Sequence, residues 1–410
     1  MKLLPALRGK TGIWNYYVCN LKYHEVAQFV RRIDNELHTS AALSSLIQRS
    51  ITDNYKSIKK YIIEQDERFF NSLVLAVYDG DPEWIEVELN YDEKEFFNLG
   101  FLKLSGNEII FPVDGQHRVE GIKKALEEKN DLSDETIPAI FIGHKKTAEG
   151  IERTRRIFST LNRYAKPVSM RDIIALDEDD IVAIVTRELV EKHDLFKGSR
   201  TLDSRGKPIP ESNKSAITSI ITLYDCNKEL FKYFKNDRDI KGNLNTYLKL
   251  RPDQEVIDSF NQFCQTFWDD FKDNLNVISS FLGRTNEPAA EFRNKENGGH
   301  LLFRPIGLLP FICSVLEIHK RNGELNYKDI FTKFNDISMS LNSKPWKQII
   351  WNDVEKKIIG SDNTLIRLLL MYLFDKQMLK ENELERLLIK YKGKIGYEGA
   401  ETDLDTLIQD

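Results

Sequence analysis

Cysteine, surplus positive charge, long apolar runs and glycine-rich phosphate loops are all scarce in this chain, and each scarcity removes a class of function. The four cysteines (Cys19, Cys226, Cys264, Cys313) lie far apart, with no CxxC pair and no Cys/His cluster. That spacing argues against a zinc site and a disulfide framework, and reads as buried thiols in a reducing compartment. Lys and Arg number 59 against 64 Asp and Glu, a formal net charge of −5, so the chain does not coat nucleic acid through bulk charge. No segment approaches the ~18 uninterrupted apolar residues of a membrane span, and the N-terminus has no apolar signal region. A soluble, cytoplasmic protein with no membrane contact is expected. There is no GxxxxGK[ST] loop, GxSxG elbow, HExxH pair or kinase set. P-loop NTPases are thereby excluded at motif level, and flavin, nicotinamide and radical enzymes have no support.

What is present supports real cores, with 41% hydrophobic and 10% aromatic residues over 410 positions. That length exceeds one typical core, so two domains are expected. Trp14–Cys19 reads as an aromatic strand, and Val26, Phe29, Val30 and Ile33 mark an amphipathic helix. A longer helical pattern runs from Leu43 to Ile63. Ser72–Tyr78 reads as a buried strand stopped by Asp79-Gly80-Asp81-Pro82, and Trp84–Leu89 alternates like the edge of a sheet or an excursion from it. Leu102 and Leu104 lead through Ser105-Gly106-Asn107 into the apolar run Ile109–Val113, a hairpin into a central strand. Ile137–Ile142 is another buried strand, and a helix from about Thr147 to Leu161 follows it. This order implies a mixed α/β sheet layered by helices, ending near residue 170. Beyond Met170 the patterns are helical, at Ala216–Tyr224, Val256–Phe271, Leu301–Ile318, Tyr327–Leu341 and Ile366–Met371, with no clear strand. Gly198–Ser212 reads as a polar mobile loop. The fold class is α+β: a mixed α/β domain over 1–170 and a mostly helical domain over 171–410.

The most informative stretch is Asp114-Gly115-Gln116-His117-Arg118. The apolar run before it ends at Asp114-Gly115, and Val119, Ile122 and Leu126 after it fall at helical spacing. A strand-to-helix turn leaves free N–H groups and the positive end of a helix dipole beside Gln116, His117 and Arg118, where phosphate binds readily. An ordinary capped turn, with Asp114 as N-cap, accounts for the same spacing. A second feature is basic. From Lys145 to Arg171 there are eight bases and two acids, net +6. It reads either as a solvated face or as one that contacts the DNA backbone through Arg153, Arg155, Arg156 and Lys166.

Asp114-Gly115-Gln116-His117-Arg118 resembles the signature of the DGQHR-domain family, DndB- and DpdB-like, whose members accompany bacterial DNA-modification systems. The domain is also similar to the ParB/sulfiredoxin superfamily, where a Gly-x-x-Arg turn opening a helix holds nucleotide phosphates. Phe158–Ser169, with Asn162-Arg163 ahead of Pro167, resembles the family's Asn-containing block. Arg8-Gly9 and Phe303-Arg304-Pro305 look like further landmarks.

The resemblance implies a ParB-like fold for the first domain. It also implies a nucleotide-binding, ATP-hydrolysing subunit of a system for deazapurine insertion or phosphorothioation, acting with a DNA-modifying enzyme. The alternative is a DNA-binding transcriptional regulator of a phosphorothioate-modification operon. ATP and Mg2+ are the implied cofactors. Gly115, Arg118, Asn162 and Arg163 would then contact phosphate, and Asp114, Gln116 and His117 would carry the chemistry. Asp114, Asn162 and Glu120 are the candidate metal ligands. ParB-type sites place Glu directly before this Asn, whereas here the residue is Leu161, so a metal carboxylate must come from elsewhere.

Overall fold

The computed structural model describes residues 1–31, 54–91, 94–164, 169–204, 206–399, 401 and 403–408. They divide into two compact units, Met1–Pro167 and Val168–Asp410. The first holds nine strands: β1 (Lys2–Thr11), β2 (Trp14–Lys22), β3 (Leu73–Tyr78), β4 (Glu83–Glu86), β5 (Leu89–Tyr91), β6 (Lys94–Phe96), β7 (Leu99–Leu104), β8 (Ile109–Asp114) and β9 (Thr136–Gly143). Strands β5 and β6 form their own small ladder. The other seven form one mixed sheet in the order β4-β7-β1-β2-β9-β3-β8, antiparallel throughout except for the β9–β3 pair. Among the described residues four α-helices accompany it: α1 (Tyr23–Phe29), α2 (Asn54–Glu64), α3 (Gln116–Leu126) and α4 (Ala148–Tyr164).

The strands alternate between two cores, as a period of two requires. Leu73, Leu75, Val77 and Ile110 join Val26 of α1, Ile62 of α2 and Val119 and Ile122 of α3 on one face. Ala76, Tyr78, Phe111 and Val113 pack with Ile157 and Phe158 of α4 on the other. The edge assignment for Trp84 holds, because β4 ends the strand order. Strand β1 was not anticipated. It pairs with β2 through a two-residue turn at Gly12-Ile13, where Gly12 takes a φ of 53°.

The hairpin expected through Ser105–Asn107 does not form. Strand β7 pairs with β1 and β4, whereas β8 pairs with β3 at the far end of the order, so β8 is not central either. The five Cα steps from Leu104 to Ile109 span at most about 18 Å. Five strand spacings in a flat sheet would need roughly 24 Å, so the sheet curls back on itself. Covered on both faces, β8 reads as a continuous apolar run like an interior strand. Pro112, which cannot donate to a ladder, is the mark of its edge position.

The first helix ends at Phe29, and Val30 bridges to Ile110, extending the β8 edge. Helix α2 covers the last part of the pattern expected over Leu43–Ile63. Ile33 and the residues of that pattern before Asn54 lie outside the described residues.

The second unit is helical, with α5 (Met170–Leu176), α6 (Ile181–Lys192), α7 (Ile220–Asp237), α8 (Leu244–Tyr247), α9 (Gln254–Asn274), α10 (Asn276–Leu282), α11 (Pro305–Arg321), α12 (Tyr327–Phe334), α13 (Asn363–Phe374), α14 (Glu381–Ile395) and α15 (Leu404–Ile408). The mostly helical expectation holds, and two short ladders, Thr201–Leu202 with Thr218–Ser219 and Trp351–Asn352 with Lys357–Ile358, are the strands among its described residues. At two residues per strand they are too short to leave a periodic signature.

Helix α9 turns Ile257, Phe260, Cys264, Phe267, Trp268 and Phe271 inward at the three- and four-residue spacing of a buried stripe. A buried polar chain ties three helices. The Trp268 indole donates to Asn227 at 2.9 Å, and Asn227 donates to Thr186 at 2.9 Å. Asp180 caps α6 by accepting from the Val182 and Ala183 amides, and also accepts from the Tyr224 hydroxyl at 2.6 Å. Burial raises the pKa of this carboxyl above its ordinary value.

Candidate functional site

The turn from β8 into α3 is made by Gly115, which caps the helix with φ 93° and ψ 19°. A Cβ there would lie 2.5 Å from the Leu73 side chain and 3.1 Å from the Arg118 guanidinium. Backbone freedom and close approach therefore both require glycine. The first intrahelical bond runs from the Val119 amide to the Gly115 carbonyl at 2.9 Å. The amides of Gln116, His117 and Arg118 thus fall in the first turn, where helix geometry supplies no partner.

Asp114 is not the N-cap. The helix has no side-chain cap, and the Asp114 carboxylate instead accepts from Arg118 at 2.6 Å, one turn along. A charged guanidinium at that spacing competes successfully with neutral amides for the carboxylate. The same guanidinium donates to the carbonyls of Asn71 at 2.6 Å and Ser72 at 3.2 Å. Arg118 therefore clamps the turn to the segment entering β3. Its side chain is only 14% exposed, while that of Asp114 is 40% exposed.

These groups open on a cavity of about 420 Å3 lined by Asp114, Gly115, Gln116, His117 and Arg118. Its remaining walls come from Ile58, Phe69, Phe70, Asn71, Val113 and Phe158. The His117 Nδ1 is buried there, with no hydrogen-bond partner among the described residues. Phe69 is 84% exposed at the rim, an aromatic face of the kind on which nucleobases stack. Phe69, Phe70 and Asn71 were missed from the sequence, because a loop some 45 residues from the motif leaves no local trace of the contact. The paired Phe69-Phe70 just ahead of a strand is the one signal that pointed there.

Other expected site residues are placed less centrally. Glu120 is buried at 5% exposure inside α3 and is not among the lining residues. Asn162 and Arg163 belong to the last turn of α4, one helical turn beyond the lining residue Phe158, and their side chains lie outside the described residues. Lys166 also lies outside them. Among the described residues no group of three or more His, Cys, Asp or Glu is placed to hold a metal ion. Among the described residues Asp114 is the carboxylate that lines the cavity.

The basic run is partly neutralised. Arg153 pairs with Glu149 and Arg156 with Glu152, each one turn apart on α4. Lys146 pairs with Asp79 and Arg171 with Asp203, so partners from outside the run take its net charge from +6 to +4. Arg155 is exposed. Among the described residues no helix is long and apolar enough to cross a membrane.

A family model described as "DndB: DNA-sulfur modification-associated" matches residues 4–379, nearly the whole chain. No curated protein and no solved structure matches it. The family match selects sulfur over deazapurine chemistry among the expected modification systems, and it spans both units. The chain belongs to the DndB family and is associated with DNA sulfur modification.

Proposed function

We propose that this chain is the nucleotide-binding, ATP-hydrolysing subunit of a DNA sulfur modification system and works beside that system's modifying enzyme. The observation that carries the reading is the cavity at the Asp114–Arg118 turn, where first-turn amides, the buried His117 Nδ1 and an exposed aromatic converge. A helix N-terminus holds phosphate oxygens through N–H groups and dipole together. The amides of Gln116, His117 and Arg118 would cradle the terminal phosphates, with Asn162 and Arg163 contacting them from α4. Gln116 and His117 would orient the attacking water, and Phe69 would stack on the base. Arg118 would act mainly by holding the turn, since Asp114 and two carbonyls already engage it.

Mg2+ bound with triphosphate needs only one or two protein carboxylates, because phosphates and water complete its shell. Asp114, half exposed at the cavity, fits that requirement, and the ion would neutralise developing charge on the phosphates. Phosphate release from ATP by the purified chain, with and without magnesium, tests the reading. Wild type is expected to hydrolyse with magnesium, and Asp114→Asn to fold normally without hydrolysing. Wild-type protein that neither binds ATP in calorimetry nor releases phosphate would overturn it. A promoter duplex preferred roughly a hundredfold over a scrambled one, with mismatches each costing about 1–3 kcal/mol, would replace it with an operon regulator.

A further inference from the structure

The helical unit holds a second charged site, away from the motif turn. Arg293 is completely buried. Its Nη1 donates to the Ala216 carbonyl at 2.8 Å and its Nη2 to the Asn213 carbonyl at 2.6 Å. Its Nε is buried with no partner among the described residues. Arg304, at the N-cap of α11, donates to the Gly298 carbonyl at 2.8 Å and to that of Asn294 at 3.3 Å. Among the described residues neither guanidinium has a carboxylate within ion-pair distance.

Both side chains line one cavity of about 360 Å3. Lys207 lines it too, paired at 2.6 Å with Asp225 on the same wall. Glu211, whose field reaches Arg304, is already paired with Lys295 at 2.8 Å. Three cations thus face one carboxylate. Ile306, Leu309 and Ile358 make much of the remaining wall apolar.

A buried cation solvated only by carbonyl dipoles is costly, and a second one beside it raises the cost. Burial pushes both guanidiniums down to about 10, with Arg304 adding to the effect on Arg293. The missing element is an anion. A planar guanidinium is the donor that a phosphate oxygen accepts, and Arg304 and Lys207 are the cations of this cavity with surface left to meet one. Arg304 is also the centre of Phe303-Arg304-Pro305, a stretch that the motif-turn site does not use.

We propose that the Arg293–Arg304–Lys207 cavity is a binding site for a small phosphomonoester with an apolar or aromatic body, of mononucleotide size. The volume lies within the range of small-molecule pockets. Backbone phosphates of a duplex are met by exposed, flexible side chains, whereas Arg293 is immobilised at 0% exposure. That burial favours a free small ligand over DNA.

The test is calorimetry of the full chain with AMP, with inorganic phosphate as competitor. The variants are Arg304→Gln, Lys207→Gln and His117→Ala. AMP is expected to bind wild type, with phosphate competing. Lys207→Gln should weaken binding roughly tenfold and Arg304→Gln further, each loss being on the scale of a charge-assisted hydrogen bond. The Lys207-dependent part of AMP binding should persist in His117→Ala, which separates this site from the cavity at the motif turn. If Arg304→Gln fails to fold, Lys207→Gln decides, since that side chain is 54% exposed and carries no core packing. Absence of AMP binding at millimolar concentration, affinity unmoved by Lys207→Gln, or loss only in His117→Ala would each overturn the proposal. So would a short duplex whose binding depends on Lys207 while AMP does not bind.

Discussion

The two units handle their arginines in opposite ways. In the sheet unit Arg118 lines a cavity and is balanced by Asp114, with two carbonyls completing its bonds. In the helical unit Arg293 is fully buried and Arg304 partly so, and both line one cavity with carbonyls as their hydrogen-bond acceptors. The first arrangement is self-neutralised, so it shapes a turn and ties it to the segment entering β3. The second is charge-unbalanced, with three cations lining one cavity against the Asp225 carboxylate. An arginine in a motif is therefore not a binding residue by identity. Its partners decide, and those partners lie far away in the chain.

The largest expected effect is on the buried side of this contrast. Trp268→Ala should destabilise the helical unit by about 3–5 kcal/mol, through its cavity and the lost indole bond to Asn227. Guanidinium denaturation followed by circular dichroism measures it, and a loss below about 1 kcal/mol would show that the core collapses around the gap.

Acid should act next most strongly. Burial lowers the His300 pKa from 6.5 to about 4, and its Nδ1 accepts from the Leu302 amide only while neutral. The folded state thus disfavours protonation. The stabilisation is fully present above the unfolded value of 6.5 and is lost as pH falls toward 4, by up to on the order of 3 kcal/mol. Thermal melting across that window checks the slope, and His300→Asn should flatten it.

Arg118→Lys sharpens the distinction between clamp and ligand. Lys keeps the charge but not the fork that spans Asp114, Asn71 and Ser72. A clamp predicts a stability loss of about 1–3 kcal/mol with a matching fall in ATP affinity. If melting is unchanged and only ATP binding drops, Arg118 is a direct phosphate contact.

The smallest stability effect is on α4. Neutralising Arg153 and Arg156 should cost about 0.3–0.5 kcal/mol each, the scale of exposed pairs one turn apart. Reversing Arg153, Arg155 and Arg156 to Glu should abolish any backbone-driven DNA binding for all sequences alike. That binding should itself weaken steeply between roughly 50 and 200 mM salt in gel shifts. Binding that survives the reversal would place the DNA contact elsewhere.

From the sequence alone one could read that Ile109–Leu126 is strand, turn and helix, that the second half is helical, and which family the motif resembles. Those properties are local: apolar spacing reports backbone period and burial, and Gly115 reports a turn. Tertiary structure decided the rest. It put β8 at the end of a curled sheet, because two covered faces make an edge strand as apolar as a central one. It gave Asp114 to Arg118 rather than to the helix amides, and brought Asn71 and Phe69 to the motif from a distant loop. It set Arg293 beside Arg304 in one cavity. Each of these depends on pairings between remote segments, and periodicity along a chain carries no information about which segments meet.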